Sequence, residues 1–168
     1  VLMGYLNPVE IRGLDNYAMQ AIAAGVDGVL LVDLPPEEAD PMRTAFNQHG
    51  LNLISLAAPT TTPERLQRLA NESQGYLYYV SVAGVTGASS INADEVLSKA
   101  SALRAQSKVP VMIGFGIKDA ASAKALAPAA DGIVIGSALV EALATSVDPA
   151  VTAEAFLQPI RLALDSLS

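Results

Sequence analysis

The sequence has no cysteine, which excludes disulfides and thiolate metal sites. It has one histidine, His49, which excludes a multi-histidine zinc site. Charged residues make up only 16% and aromatics 5%, so the core must be aliphatic, built from Ala, Val, Leu and Ile. Basic residues are outnumbered, 10 to 17, for a net charge of −7. The chain therefore lacks the basic stripe that a nucleic-acid backbone requires. An anionic small substrate stays open, because a local nest of backbone N–H groups binds phosphate even in an acidic protein. No apolar run reaches the ~18–20 residues of a membrane span, and no signal peptide is visible. A reducing, cytoplasmic setting is the plain reading of a cysteine-free chain.

What is present is hydrophobicity in short, regular packets. The 168 residues, 51% of them hydrophobic, suffice for one domain with a sizeable core. Strand-like runs occur at 1–5, 28–33, 51–57, 76–81, 109–114 and 132–136, each followed by a helical stretch. Leu66, Leu69 and Ala70 show helical spacing, as do Val96, Leu97, Ala100 and Leu103. Thr62 before Pro63 and Glu64 is a helix start. Lys118-Asp119 precedes an alanine-rich helix, and Pro35-Pro36-Glu37-Glu38 opens another. Gly25 and Gly50 sit where helices should stop. Such alternation predicts a parallel sheet with helices outside. No G-x-G-x-x-G follows the first strand, which weakens a dinucleotide-binding reading.

The closing segments favour a barrel. Phosphate-binding barrels often hold the anion with the loops after strands 7 and 8 and a short extra helix. Here Gly114-Phe115-Gly116-Ile117 follows one strand. Gly136-Ser137-Ala138-Leu139 follows the next and opens a short helix, 138–143, before a final helix, 150–167. The expected fold is therefore α/β, a TIM (β/α)8 barrel of the phosphate-binding type, with residues 1–168 as a single partial domain. It is incomplete, carrying strands 3–8 with their helices. The opening Val1-Leu2-Met3-Gly4-Tyr5, with no initiator methionine, reads as the start of a buried strand inside a longer protein.

Several residues are candidates for chemistry, each with a plainer alternative. Gly116 lets backbone approach an anion, and Gly136 and Ser137 stand at a helix N-terminus; ordinary strand-to-helix turns use the same residues. The small-residue segment 81–90 is either a lid or a linker, with Gly87 near phosphate and Thr86 placed to orient a carboxylate. Tyr78 shares a strand face with Tyr76 and Val80. It either faces a substrate or fills the core, and Phe115 poses the same choice. Asp33, at a strand end, is the best functional carboxylate here, against a turn or helix-capping role ahead of Pro35 and Pro36. Glu37, Glu38 and Asp40 should complement a helix dipole, and His49 a helix C-terminus. No nucleophile–base triad, metal constellation or acid/base pair is visible.

Taken in order, Tyr5-Leu6-Asn7-Pro8, Ala24-Gly25-Val26-Asp27-Gly28-Val29, Asp33-Leu34-Pro35, Ala83-Gly84-Val85-Thr86-Gly87, Gly114-Phe115-Gly116-Ile117 and Gly136-Ser137-Ala138 resemble the tryptophan synthase α subunit over essentially the whole chain. The resemblance implies cleavage of indole-3-glycerol phosphate to indole and glyceraldehyde 3-phosphate, without metal or cofactor. It implies a β-subunit partner in an αββα tetramer. It implies that Gly87, Gly116, Gly136 and Ser137 hold the phosphate, and that Tyr5, Tyr78, Thr86 and Phe115 line the indole pocket and lid. Asp33 would sit near the β-subunit contact and couple the two sites. The family's two catalytic carboxylates belong to units that precede Val1, so no catalytic residue is expected in this chain. Val82 stands where some members carry a basic residue.

Two alternatives remain at this point. One is another phosphate-binding barrel, such as a sugar-phosphate isomerase or epimerase, which lacks the G-V-T-G segment. The other is a non-catalytic piece that binds phosphate or the β subunit. Six units would leave open edges with no charged protection on 1–5. Self-association is therefore expected, and light scattering checks it; a cooperative, monomeric melting transition would contradict it.

Overall fold

The computed structural model describes residues 1–80, 93–114 and 116–167. These form six strands, β1 (Leu2–Gly4), β2 (Gly28–Leu31), β3 (Asn52–Ala57), β4 (Leu77–Val80), β5 (Val111–Gly114) and β6 (Gly132–Val134). Eight α-helices alternate with them: α1 (Leu6–Arg12), α2 (Leu14–Ala23), α3 (Ala39–Gln48), α4 (Pro63–Glu72), α5 (Ala93–Gln106), α6 (Ala120–Leu126), α7 (Ser137–Ala144) and α8 (Pro149–Asp165). The chain divides into two compact units. The first takes in 1–57, 61–78 and 106–109, the second 58–60, 79–105 and 110–168.

In the first unit β1 pairs with β2, and β2 with β3, all parallel. Val29, Leu30 and Leu31 are buried in succession, as expected of a strand covered on both faces. Val9, Ala18, Ala21, Met42, Phe46 and Leu53 belong to its hydrophobic core. An aromatic stack joins α2 to α3, with Tyr17 and Phe46 at 6.0 Å between ring centroids. β1 departs from expectation. It was to be a buried strand, yet Leu2 is 46% and Met3 61% exposed. Among the described residues of this unit β1 pairs only with β2, so its outer side goes uncovered.

Helix boundaries follow local chemistry. Thr62 caps α4, its hydroxyl accepting from the Arg65 N–H, with proline in the first turn. Asp119 and Ser122 form a reciprocal capping box at the start of α6. Gly25 and Gly50 follow α2 and α3 with φ of 81° and 75°, the left-handed stop that glycine adopts without penalty. Pro36–Glu38 forms a 3₁₀ turn, and α3 begins only at Ala39.

In the second unit β5 and β6 pair in parallel register, Met112 with Gly132, Ile113 with Ile133 and Gly114 with Val134. Val111, Ile113, Ala123 and Ile160 are buried there. The last helix continues through Pro159.

Gly75, between α4 and β4, has φ of 65°, and a Cβ there would lie 2.9 Å from the Ile54 Cδ1. Gly75→Ala is expected to cost about 1–2 kcal/mol of stability, since the left-handed region penalises any Cβ by that order. The check is a lower urea midpoint at unchanged slope.

Candidate functional site

Parallel pairing places the two glycine turns of the second unit side by side. Gly114 and Val134, the last residues of β5 and β6, are register partners. Gly116 follows the first by two residues, with φ of 75°. Gly136 follows the second by two residues and is the N-cap of α7, with φ of −116° and ψ of −85°. Both turns thus leave the carboxyl ends of neighbouring strands. Ser137 is the first residue of α7, and all three residues are exposed. No side chain caps α7, so the leading N–H groups and the positive end of the helix dipole remain available to an anion. A Cβ at Gly136 would meet nothing within 4 Å; packing does not require glycine there, and the space lies open to a ligand.

In the first unit, Tyr5 follows β1 as the N-cap residue of α1 and is 65% exposed. Asp33 lies two residues past β2. Its Oδ1 accepts the Leu6 N–H at 2.8 Å, so the carboxylate serves the start of α1 and not the helix beyond Pro35 and Pro36. Sequence gives no sign of this bond between positions 27 apart. Tyr78 is buried in β4. Burial raises the phenol pKa of both Tyr76 and Tyr78, and for Tyr78 the neighbouring Tyr76 raises it further. Thr86, Gly87 and Phe115 lie outside the described residues.

Other charged candidates have structural partners. His49 Nε2 lies 3.1 Å from the Asp15 Oδ1, which ties α2 to α3. Glu37 and Asp40 do more than complement a dipole. The Arg65 guanidinium donates to both Glu37 oxygens at 2.7 Å; this bond lowers the pKa of Glu37. Asp40 pairs with Arg43 and Arg68, and both arginines also approach Glu72. The glutamate and aspartate of one helix start are thereby matched to the arginines of α4.

The amino ends of the strands are tied by polar groups that sequence reasoning missed. Asp131, just before β6, accepts from the Val111 N–H at 2.9 Å and from the Arg104 Nε at 2.8 Å. The Asn52 side chain donates to the Asp27 carbonyl at 3.0 Å, where β2 and β3 begin. The second unit also has a broad apolar groove of about 1020 Å³, lined by Met112, Ile133, Ile160 and Leu164 among others. Neither Gly116 nor Ser137 lines it. Among the described residues no group of three or more His, Cys, Asp or Glu is placed to hold a metal.

Comparison with known proteins resolves the family. A family model described as the tryptophan synthase alpha chain matches residues 1–161. The chain belongs to the tryptophan synthase α chain family. The α chain of Xylella fastidiosa strain M12 is 59% identical over 99% of this chain and 63% of its own length. That of Xanthomonas oryzae pv. oryzae strain MAFF 311018 is 59% identical over 98% and 63%. The chain thus spans less than two thirds of the length of the curated relatives it matches.

Solved structures agree on the fold. Tryptophan synthase subunit α from Legionella pneumophila matches with a TM-score of 0.85 at 42% identity, over 98% of this chain and 62% of that one. A Pyrococcus furiosus structure, described as the mutually activating tryptophan synthase α2β2 complex, matches with a TM-score of 0.83 at 31% identity, over 95% of this chain and 65% of that one. The fold is therefore that of the tryptophan synthase α chain, a TIM barrel, of which the described residues of this chain carry six strands and their helices. Family structures include complexes with the β subunit. Among the described residues no helix is long and apolar enough to cross a membrane.

The tyrosine shifts have a definite sign. The folded state holds the neutral phenols of Tyr76 and Tyr78 above the ordinary pKa of ~10. Their contribution to stability is full below that value and is lost as pH rises through the raised pKa. In an alkaline absorbance titration, Tyr78→Phe is expected to remove one late-ionising phenol. It should also lessen the fall in stability above pH ~10.

Proposed function

We propose that this chain serves tryptophan biosynthesis, as the part of a tryptophan synthase α subunit that anchors the phosphate and carries the lid. The complete subunit would cleave indole-3-glycerol phosphate by a retro-aldol reaction to indole and glyceraldehyde 3-phosphate. The observation that carries this reading is the adjacency of the Gly116 turn and the uncapped Gly136-Ser137 helix start at the ends of paired strands. Family membership supports it.

In this reading Gly87, Gly116, Gly136 and Ser137 hold the glycerol phosphate through backbone N–H groups and the Ser137 hydroxyl. Tyr5, Tyr78, Thr86 and Phe115 line the indole pocket and lid. Cleaving the carbon–carbon bond requires protonating the indole ring and removing a proton from the glycerol hydroxyl. No residue of this chain is assigned to either transfer. Its contribution is positional, because a phosphate fixed at one end sets the distance from the reacting atoms to the acid and base. The reaction needs no metal or cofactor. A β subunit is the partner that would receive the indole, in an αββα tetramer, with Asp33 near that contact. The compartment is cytoplasmic.

Binding of inorganic phosphate, followed by calorimetry, tests the anchor. Ser137→Ala removes one hydrogen bond to an anion and is expected to weaken binding about tenfold or more. Gly116→Ala should weaken it as well, because a Cβ at φ of 75° displaces the turn. The 168 residues alone should release no indole from indole-3-glycerol phosphate. Indole release would sink the division of labour, and unaltered phosphate binding in both variants would sink the anchor.

A further inference from the structure

We propose that Asp33 is a positioning residue that clasps the turn bearing Tyr5, and so sets the placement of the aromatic half of the substrate. The inference rests on the functional reading above and deepens it. The parallel ladder between β1 and β2 ends at the partners Gly4 and Leu31. One more backbone bond follows, from the Val32 N–H to the Gly4 carbonyl at 3.0 Å. Where a further rung would engage Leu6, the Asp33 carboxylate takes over and accepts the Leu6 N–H at 2.8 Å. Tyr5 lies between these two bonds.

Both flanks of Tyr5 are therefore fixed to the same neighbouring turn. Its backbone is extended, with φ of −114° and ψ of 158°, and its own side chain makes no capping bond to α1. The ring is 65% exposed, so packing does little to hold it. What directs the ring is the backbone on either side, and the Leu6 bond supplies the carboxyl-side half of that constraint. The acceptor is a carboxylate at the first residue of a helix. Such a charge-assisted bond is stronger than a neutral one and gains from the helix dipole. A peptide carbonyl in its place would hold the turn less firmly. The clasp also joins the Tyr5 turn to the Asp33-Leu34-Pro35 turn.

The test uses the whole gene product, with two probes measured separately by calorimetry: indole for the aromatic end and inorganic phosphate for the anchor. Asp33→Ala should weaken indole binding about tenfold, the usual scale for one lost hydrogen bond to a charged group. Phosphate binding should be unchanged. Asp33→Asn keeps a neutral acceptor oxygen and should recover part of the loss. In Asp33→Ala the Leu6 amide should exchange faster with solvent, with the melting transition still cooperative. Indole affinity unmoved in Asp33→Ala overturns the proposal, as does an equal loss for both probes, which marks a general structural role. Failure of the unsubstituted protein to bind either probe overturns the functional reading itself, and with it the role of the clasp in substrate placement.

Discussion

Parallel pairing is the constraint on which the rest depends. A parallel ladder gives neighbouring strands the same direction, so all their carboxyl ends emerge at one end and all their amino ends at the other. In the second unit that rule alone brings Gly116 beside Gly136, two residues past the register partners Gly114 and Val134. In the first it brings Tyr5 beside Asp33. Every return from one carboxyl end to the next amino end needs a crossover, which the helices provide. Strands wrapped in this way are apolar throughout, as Val29, Leu30 and Leu31 show. The low charge and high aliphatic content of the sequence are the composition that such strands demand.

Elements with local causes could be read from the sequence, and long-range ties could not. Thr62-Pro63 and Asp119 mark helix starts because capping is settled within four residues. Gly25 and Gly50 mark stops for the same reason. All six strands lie within the runs that β-branched and aliphatic residues define. The Asp33 bond to Leu6 spans 27 positions, and the Arg65 pair with Glu37 spans 28. Nothing local distinguishes those carboxylates from others that end in solvent. The exposure of β1 was equally hidden, because hydrophobicity reports what a strand can bury and not which neighbours are present to bury it. Of the candidate site, Gly116 and Gly136-Ser137 were legible as turns, since their spacing from the strand ends is itself a local pattern. Thr86, Gly87 and Phe115 lie outside the described residues.

The ion pairs around α4 illustrate how little charge has to do with stability here. Asp40, Arg43, Arg68 and Glu72 make a closed set of contacts, but each carboxylate keeps substantial solvent exposure. Such solvent-exposed pairs contribute little to stability, because water screens them. They are better understood as matching: an acidic helix start is placed against a helix that presents arginines, which fixes the register of one element on another. The stabilising bulk lies in apolar contacts such as those of Val9, Phe46, Leu51 and Ile113.

Asp131 and Asn52 carry a consequence of a different kind. Each binds at the amino end of a strand, through a backbone group of its neighbour, whereas within the second unit the glycine turns, and within the first Tyr5, follow the carboxyl ends of their strands. Residues that tie the amino ends of the strands are thus separate from the residues proposed to meet a ligand. An evolving lineage can exchange the turns after β5 and β6 to suit a new anion or aromatic ring without disturbing the ties that keep those strands in register. Innovation and folding draw on different positions. A scaffold of this type is therefore open to many chemistries while its architecture stays the same.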